Sequence, residues 1–250
     1  MEKSNSLYFK ISEYYDYAFG FGDAEKNFYS SLNIPNESKV LEIGCGTGNL
    51  TKYLREFSKN ITGIDIDDKM IEVAKKKYPD INFMKLDALE IDNNFDSLKF
   101  DYIFCMGNTL VHLENAILIE SLFNKVRKLL KHNGEFIFQI LNYDKIIDNN
   151  IKELALIEND KIIFERKYEY SCDNEDFLKN NPQIIFATKL IVKENNKIIT
   201  AKTKLYPIKS GETALLLEKS QFRKRDFYGN FSKEIFNSQN SDLLIGKCSI

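Results

Sequence analysis

The chain has 250 residues, 43% of them hydrophobic and 29% charged, enough to bury a full core as one large domain or one domain with an insertion. Its 35 basic and 37 acidic side chains leave a formal net charge of -2, which argues against a partner held by phosphate neutralisation, such as nucleic acid. No apolar run approaches the roughly 20 residues of a bilayer span, so no membrane partner is expected.

The polar start Met1–Asn5 leads into no signal-like apolar segment. Cys45, Cys105, Cys172 and Cys248 are scattered without paired spacing, which fits a reduced, cytoplasmic setting. His112 and His132 have no companion ligand at metal spacing, so no metal site is expected. An aromatic-rich stretch from Leu7 to Leu32 reads as helical, its rings as packing. Short apolar runs then alternate with helical patterns. Val40–Ile43, Ile61–Ile64, Ile81–Leu86, Tyr102–Cys105 and Glu135–Ile140 are short enough to be strands buried on both faces of a parallel sheet. Asp67 or Asp68 is placed to cap the helix running to Lys77. Leu118, Leu122, Val126 and Leu129 mark another helix, with Gly134 just beyond it. The alternation predicts a doubly wound α/β fold, mostly parallel.

Beyond residue 145 the pattern changes. Lys161–Cys172, Ile184–Lys193 and Lys197–Tyr206 read as longer strands, with Asn195-Asn196 as a two-residue hairpin turn. Residues 146–205 are therefore expected to form an antiparallel β insertion, and residues 1–145 with 206–250 the main domain. Gly211–Lys219 reads as a helix, Phe222–Tyr228 as extended and Leu243–Cys248 as a closing strand.

The segment Glu42-Ile43-Gly44-Cys45-Gly46-Thr47-Gly48-Asn49 carries the sharpest signal: a strand, a glycine turn, then a helix start. Glycines allow the tight turn and let a ligand approach the main chain. A phosphate-binding loop would need Gly-Lys-Ser/Thr, and a dinucleotide fingerprint would need its third glycine where Asn49 stands. Asp65, ending the second strand, is placed to accept hydrogen bonds from ribose hydroxyls, and Asp87-Ala88 follows the third strand.

Taken together, Glu42–Gly48, Gly63-Ile64-Asp65-Ile66 with Met70, and Leu86-Asp87-Ala88 resemble class I S-adenosylmethionine-dependent methyltransferases over roughly residues 14–145. The segment Cys105–Leu113, with Asn142-Tyr143-Asp144, is similar to the glycine N-methyltransferase branch. The resemblance implies a Rossmann-like sheet of seven strands ending in an antiparallel hairpin, with S-adenosylmethionine as cofactor. It also implies roles. Gly44 and Gly46 lie against the methionine part, Asp65 holds the ribose, Ile66 and Met70 flank adenine, and Asp87 and Ala88 meet its polar edge. Met106 covers the cofactor, His112 reaches its carboxylate, and Tyr15 closes over it. Asn108 and Tyr143 are expected to bind substrate. Glycine-methylating members tend to have an arginine just before Asn-Tyr-Asp; Leu141 stands there, so an anion clamp is missing.

The expected activity is methyl transfer by in-line displacement to a small molecule, through either an N or an O atom, with no base nominated and the insertion as a lid over the substrate cleft. The alternatives are a non-catalytic S-adenosylmethionine-binding regulator and a nicotinamide-dependent oxidoreductase. Nucleic-acid methylation is disfavoured, because Met106-Gly107-Asn108-Thr109 replaces any Asn-Pro-Pro-Tyr-like element. The sequence leaves the oligomeric state open.

Overall fold

A computed structural model describes residues 6–170 and 183–250. Met1–Asn5 and Cys172, with the last residues expected of the Lys161–Cys172 strand, lie outside them. Strands β1 (Lys39–Ile43), β2 (Asn60–Asp65), β3 (Asn82–Lys85), β4 (Phe100–Cys105) and β5 (Leu130–Leu141) are parallel neighbours. Four further strands intervene in the chain: β6 (Ile157–Glu158), β7 (Ile162–Tyr170), β8 (Ile184–Val192) and β9 (Lys197–Leu205). The closing pair, β10 (Lys224–Tyr228) and β11 (Leu243–Ser249), runs antiparallel and returns to the edge of β5. The result is a seven-stranded sheet in the order β10-β11-β5-β4-β1-β2-β3, accompanied by a four-stranded antiparallel sheet β6-β7-β8-β9. Strand order reverses beside β1, and open α/β sheets bind ligands at the carboxyl ends of strands at such a point.

Helices cover both faces because the strands are apolar on both sides. Ile119, Leu122, Phe123, Val126 and Leu129 of the helix Ala116–Leu129 are buried in the larger apolar cluster with Ile103, Phe136 and Phe138. Phe28, Tyr29, Leu54 and Ala74 belong to the second cluster, with Val40, Phe104 and Ile137. Asp67 caps the helix Asp68–Lys77 by accepting from the amides of Lys69 and Met70.

Several local expectations are revised. The aromatic N-terminal stretch is broken into helices Leu7–Ile11, Tyr15–Ala18 and Asp23–Ser30, with Gly20 and Gly22 in the last interruption. Gly134 does not end a helix: β5 begins at Leu130, directly after Leu129, and Gly134 lies within that strand, where a Cβ would press on the Phe100 carbonyl at 3.0 Å. The β8–β9 connection spans Lys193–Asn196 rather than two residues, because Val192 pairs with Lys197; Asn196 does take the positive φ, 56°. The segments Ile157–Glu158 and Tyr143–Asp148, too short to show a period, form a two-residue strand and a helix.

The second sheet is not an appendage. Its residues Ile162, Phe164, Tyr168, Leu190 and Leu205 belong to the same apolar cluster as Ile103 and Phe138 of the main sheet.

Candidate functional site

The carboxyl ends of β1 to β4 and the N-terminal helices enclose a cavity of about 290 Å³. The β1 turn is built by glycine conformation. Gly44 has φ 74°, and a Cβ there would strike the Thr109 side chain, so the loops after β1 and β4 are in direct contact. Gly48 has φ 83° and starts the helix Asn49–Leu54; its Cβ would collide with Phe83.

Asp65 ends β2 with one carboxylate oxygen accepting the Gly46 N–H and the other the Asp67 N–H, each at 2.9 Å. A carboxylate has about four acceptor sites, so the group retains accepting capacity for a ligand. Burial pushes this carboxyl above its ordinary range, against the pull of the Asp67, Gly46 and Ile66 amides. Asp87 accepts the Leu89 N–H at 2.9 Å and opens a turn of 3-10 helix, Ala88–Glu90. Ile66, Met70 and Leu86 supply apolar wall beside these carboxylates.

Every residue expected to hold cofactor lines this one cavity: Tyr15, Gly44, Gly46, Asp65, Ile66, Met70, Asp87, Ala88, Met106 and His112. Asn108 and Tyr143, expected to bind substrate, do not. Asn108 Nδ2 donates to the Tyr143 hydroxyl at 2.9 Å, Asn108 Oδ1 accepts the Leu141 N–H at 3.0 Å, and Tyr143 is buried. His112 Nε2 meets the Tyr8 hydroxyl at 2.7 Å, and burial pushes the imidazole down to about 4, so it is neutral at physiological pH.

Other contributors carried no sequence signal. Tyr8, Leu7 and Ser6 close the cavity from the N-terminal helix, and Thr203 reaches it from β9. Asp16 fastens the N-terminal segment over the glycine loop. It accepts from Thr47 Oγ1 at 2.5 Å, from Asn49 Nδ2 at 2.9 Å and from Lys77 Nζ at 2.5 Å, across 31, 33 and 61 residues of chain. Glu42, the acidic residue inside β1, is buried with Oε2 accepting from Thr51 Oγ1, and burial pushes it up to about 8.

Charge decides which nucleoside fits. The cavity is lined by the carboxyls of Asp65 and Asp87, with no lysine or arginine among the described residues, and its histidine is neutral. A pyrophosphate would meet carboxylates with no counter-charge, whereas a sulfonium nucleoside carries the complementary sign.

Residues 40–134 match the family model of a methyltransferase domain. The chain is 36% identical over 88 residues to a putative methyltransferase, 235L, of Invertebrate iridescent virus 6, covering 33% of this chain and 32% of that protein. It is 25% identical over 239 residues to ribosomal RNA small subunit methyltransferase A of Mycoplasma capricolum, covering 88% of this chain and 79% of that one. Among solved structures, an S-adenosylmethionine-dependent methyltransferase from Clostridium acetobutylicum superposes with a TM-score of 0.77 at 18% identity, covering 98% and 99% of the two chains. An amino pentose methyltransferase from Micromonospora echinaspora, solved with S-adenosylmethionine bound, gives 0.65 at 12% identity over 97% and 98%. Both of these solved neighbours are described as S-adenosylmethionine-using methyltransferases.

Proposed function

We propose that this chain, whose residues 40–134 match a methyltransferase domain, is a class I S-adenosylmethionine-dependent methyltransferase that moves the cofactor's methyl group to a small-molecule acceptor. The observation that carries the reading is the gathering of all the expected cofactor residues around one acidic cavity at the sheet's switch point. When bound, the cofactor supplies an activated methyl on a sulfonium, so the protein's task is binding, alignment and exclusion of water.

In this reading the remaining acceptor sites of Asp65 accept the ribose hydroxyls, and Ile66 and Met70 face adenine beside Asp87 and Ala88. The glycine loop and Met106 lie along the methionine arm, with Tyr15 closing over Gly46, where an added Cβ would lie 3.6 Å from its ring. His112, neutral and tied to Tyr8, contributes a hydrogen bond rather than a positive charge to the cofactor's carboxylate. Asn108 and Tyr143, held to each other, brace the β4 and β5 ends beside which the acceptor sits. The segment 146–205 covers the cleft, with Thr203 as its reach into the cofactor cavity. The similarity to the glycine N-methyltransferase branch rests on residues 105–113 and 142–144, and Leu141 removes the carboxylate clamp of its glycine-methylating members.

A second reading, methylation of ribosomal RNA, is favoured by the 88% of the chain aligned with the Mycoplasma enzyme. The acidic cavity and the net charge of -2 weigh against it. The test is a labelled methyl-transfer screen over a metabolite extract and ribosomal RNA in parallel, with calorimetry of S-adenosylhomocysteine against NAD. Preferential labelling of RNA would replace the small-molecule reading. Tighter binding of NAD would remove methyl transfer altogether, and binding of S-adenosylhomocysteine with no turnover on any acceptor would leave a regulator.

A further inference from the structure

Beside the cofactor cavity lies a smaller one of about 130 Å³. The two share Tyr15, Gly44, Met106 and Gly107, so the second is entered from the end of the first that lies farthest from Asp65 and Asp87. None of the adenosine-side residues lines it. Its walls are aromatic: Phe19, Phe21, Tyr29 and Phe231. Phe21 stacks on Tyr29 with ring centroids 5.8 Å apart and planes 11° from parallel, and Phe231 lies 6.3 Å from Tyr29.

The polar groups in this chamber all point to one kind of guest. Glu25 and Glu42 line it, with no lysine, arginine or histidine among the described residues. Gln139 also lines it and is only 7% exposed. Its Oε1 accepts the Gly107 N–H at 3.0 Å, which leaves the Nε2 donor without a hydrogen-bond partner among the described residues. A nearly buried donor of this kind calls for an acceptor atom from outside the chain. Aromatic faces and carboxyls both attract a cation and repel an anion. Burial pushes both Glu25 and Glu42 up, Glu42 to about 8, and a cation seated beside them would favour their ionised forms.

Resting on the methyl-transfer reading above, we propose that this chamber seats the methyl acceptor, and that the acceptor is an amine bearing a hydrogen-bond-accepting oxygen and no acidic group. The neutral amine reacts: its lone pair forms the bond to the methyl carbon as the carbon–sulfur bond breaks, with that electron pair staying on sulfur. The extra proton of the product leaves to water at the exposed mouth beside Gly20.

The test is calorimetric titration of the full chain, saturated with S-adenosylhomocysteine, with trans-4-aminocyclohexanol, cyclohexanecarboxylate and inorganic phosphate. The amino alcohol should bind, and the two anions should not. Glu25→Gln, which keeps the side-chain contact to the Gly22 N–H, and Phe231→Ala should each weaken the amine by about tenfold or more, the scale of one charge-assisted contact. The affinity for S-adenosylhomocysteine should be unchanged in both variants. Tighter binding of either anion, or no amine binding by protein that holds S-adenosylhomocysteine, would overturn the chamber's role. Variants that weaken S-adenosylhomocysteine instead would assign the chamber to the cofactor's amino-acid end. Wild-type protein that fails to bind S-adenosylhomocysteine would remove the methyl-transfer reading, and this inference with it.

Discussion

Replacing Glu42 by Gln should leave stability unchanged in acid and raise it progressively as the solution becomes alkaline. The carboxyl sits in the middle of the sheet, 3% exposed, with a hydrogen bond from Thr51 and the Asp65 charge nearby. Burial pushes it from an ordinary value of 4.5 to about 8, so the native state binds a proton that the unfolded chain has released. Where the native state binds more protons, stability falls as pH rises. The contribution is therefore fully present below the unfolded value of 4.5 and is lost as pH rises through about 8. At about 1.4 kcal/mol per pH unit across that window, the cost of keeping Glu42 is on the order of a few kcal/mol at high pH. Gln is nearly isosteric, never ionises and can still accept from Thr51. Urea unfolding of both proteins at intervals from about pH 5 to 9 isolates the effect, because every other titrating group is common to the two. The wild type should be the equal of Glu42→Gln in acid and progressively weaker in alkali. Parallel pH profiles would refute the argument and mean that water or a local rearrangement solvates the carboxylate.

Asp65→Ala should weaken S-adenosylhomocysteine binding by about 1–3 kcal/mol while the protein stays folded, since a carboxylate at a strand end adds little to the core; an unchanged dissociation constant would remove Asp65 from the site. Asp16→Ala should loosen the N-terminal segment from Thr47, Asn49 and Lys77, speeding cofactor release by about tenfold with little change in global stability; an unchanged off-rate in stopped-flow would mean that the aromatic packing alone holds the segment. His112 should titrate near 4 by NMR, so its contribution to stability is present above the ordinary 6.5 and lost as pH falls through about 4; a midpoint near 6.5 would show the ring to be hydrated. Deleting residues 146–205 should unfold the protein rather than spare cofactor binding, because Ile162, Phe164 and Leu190 share one apolar cluster with Ile103; a folded, cofactor-binding deletion variant would contradict that.

The ligand end of the sheet was legible in the chain because its determinants are local. A strand that must stop, a turn that needs positive φ and a carboxylate at the next strand end fall within Val40–Asp65, and each is specified by residue type at a fixed spacing. The doubly wound, mostly parallel fold followed from the alternation of short apolar runs with helical periods, since buried parallel strands leave no polar face, while the seven strands with their closing antiparallel pair were implied by the family resemblance. Side-chain partnerships between distant segments left no such trace. Nothing in Asp16 announces a contact with Lys77, and nothing in Tyr8 announces one with His112, because pairs so far apart in the chain depend on how helices dock. The ionisation of Glu42 and of His112 was likewise invisible, since it follows from the dielectric that packing creates around them and not from their neighbours in sequence. Tertiary structure also decided that Asn108 and Tyr143 bond to each other away from the cofactor cavity, and that aromatic rings from Phe19 to Phe231 meet around a second chamber. Residue spacing specifies the glycine turn after β1; only the closure of distant elements upon one another sets the charge and shape of the space around it.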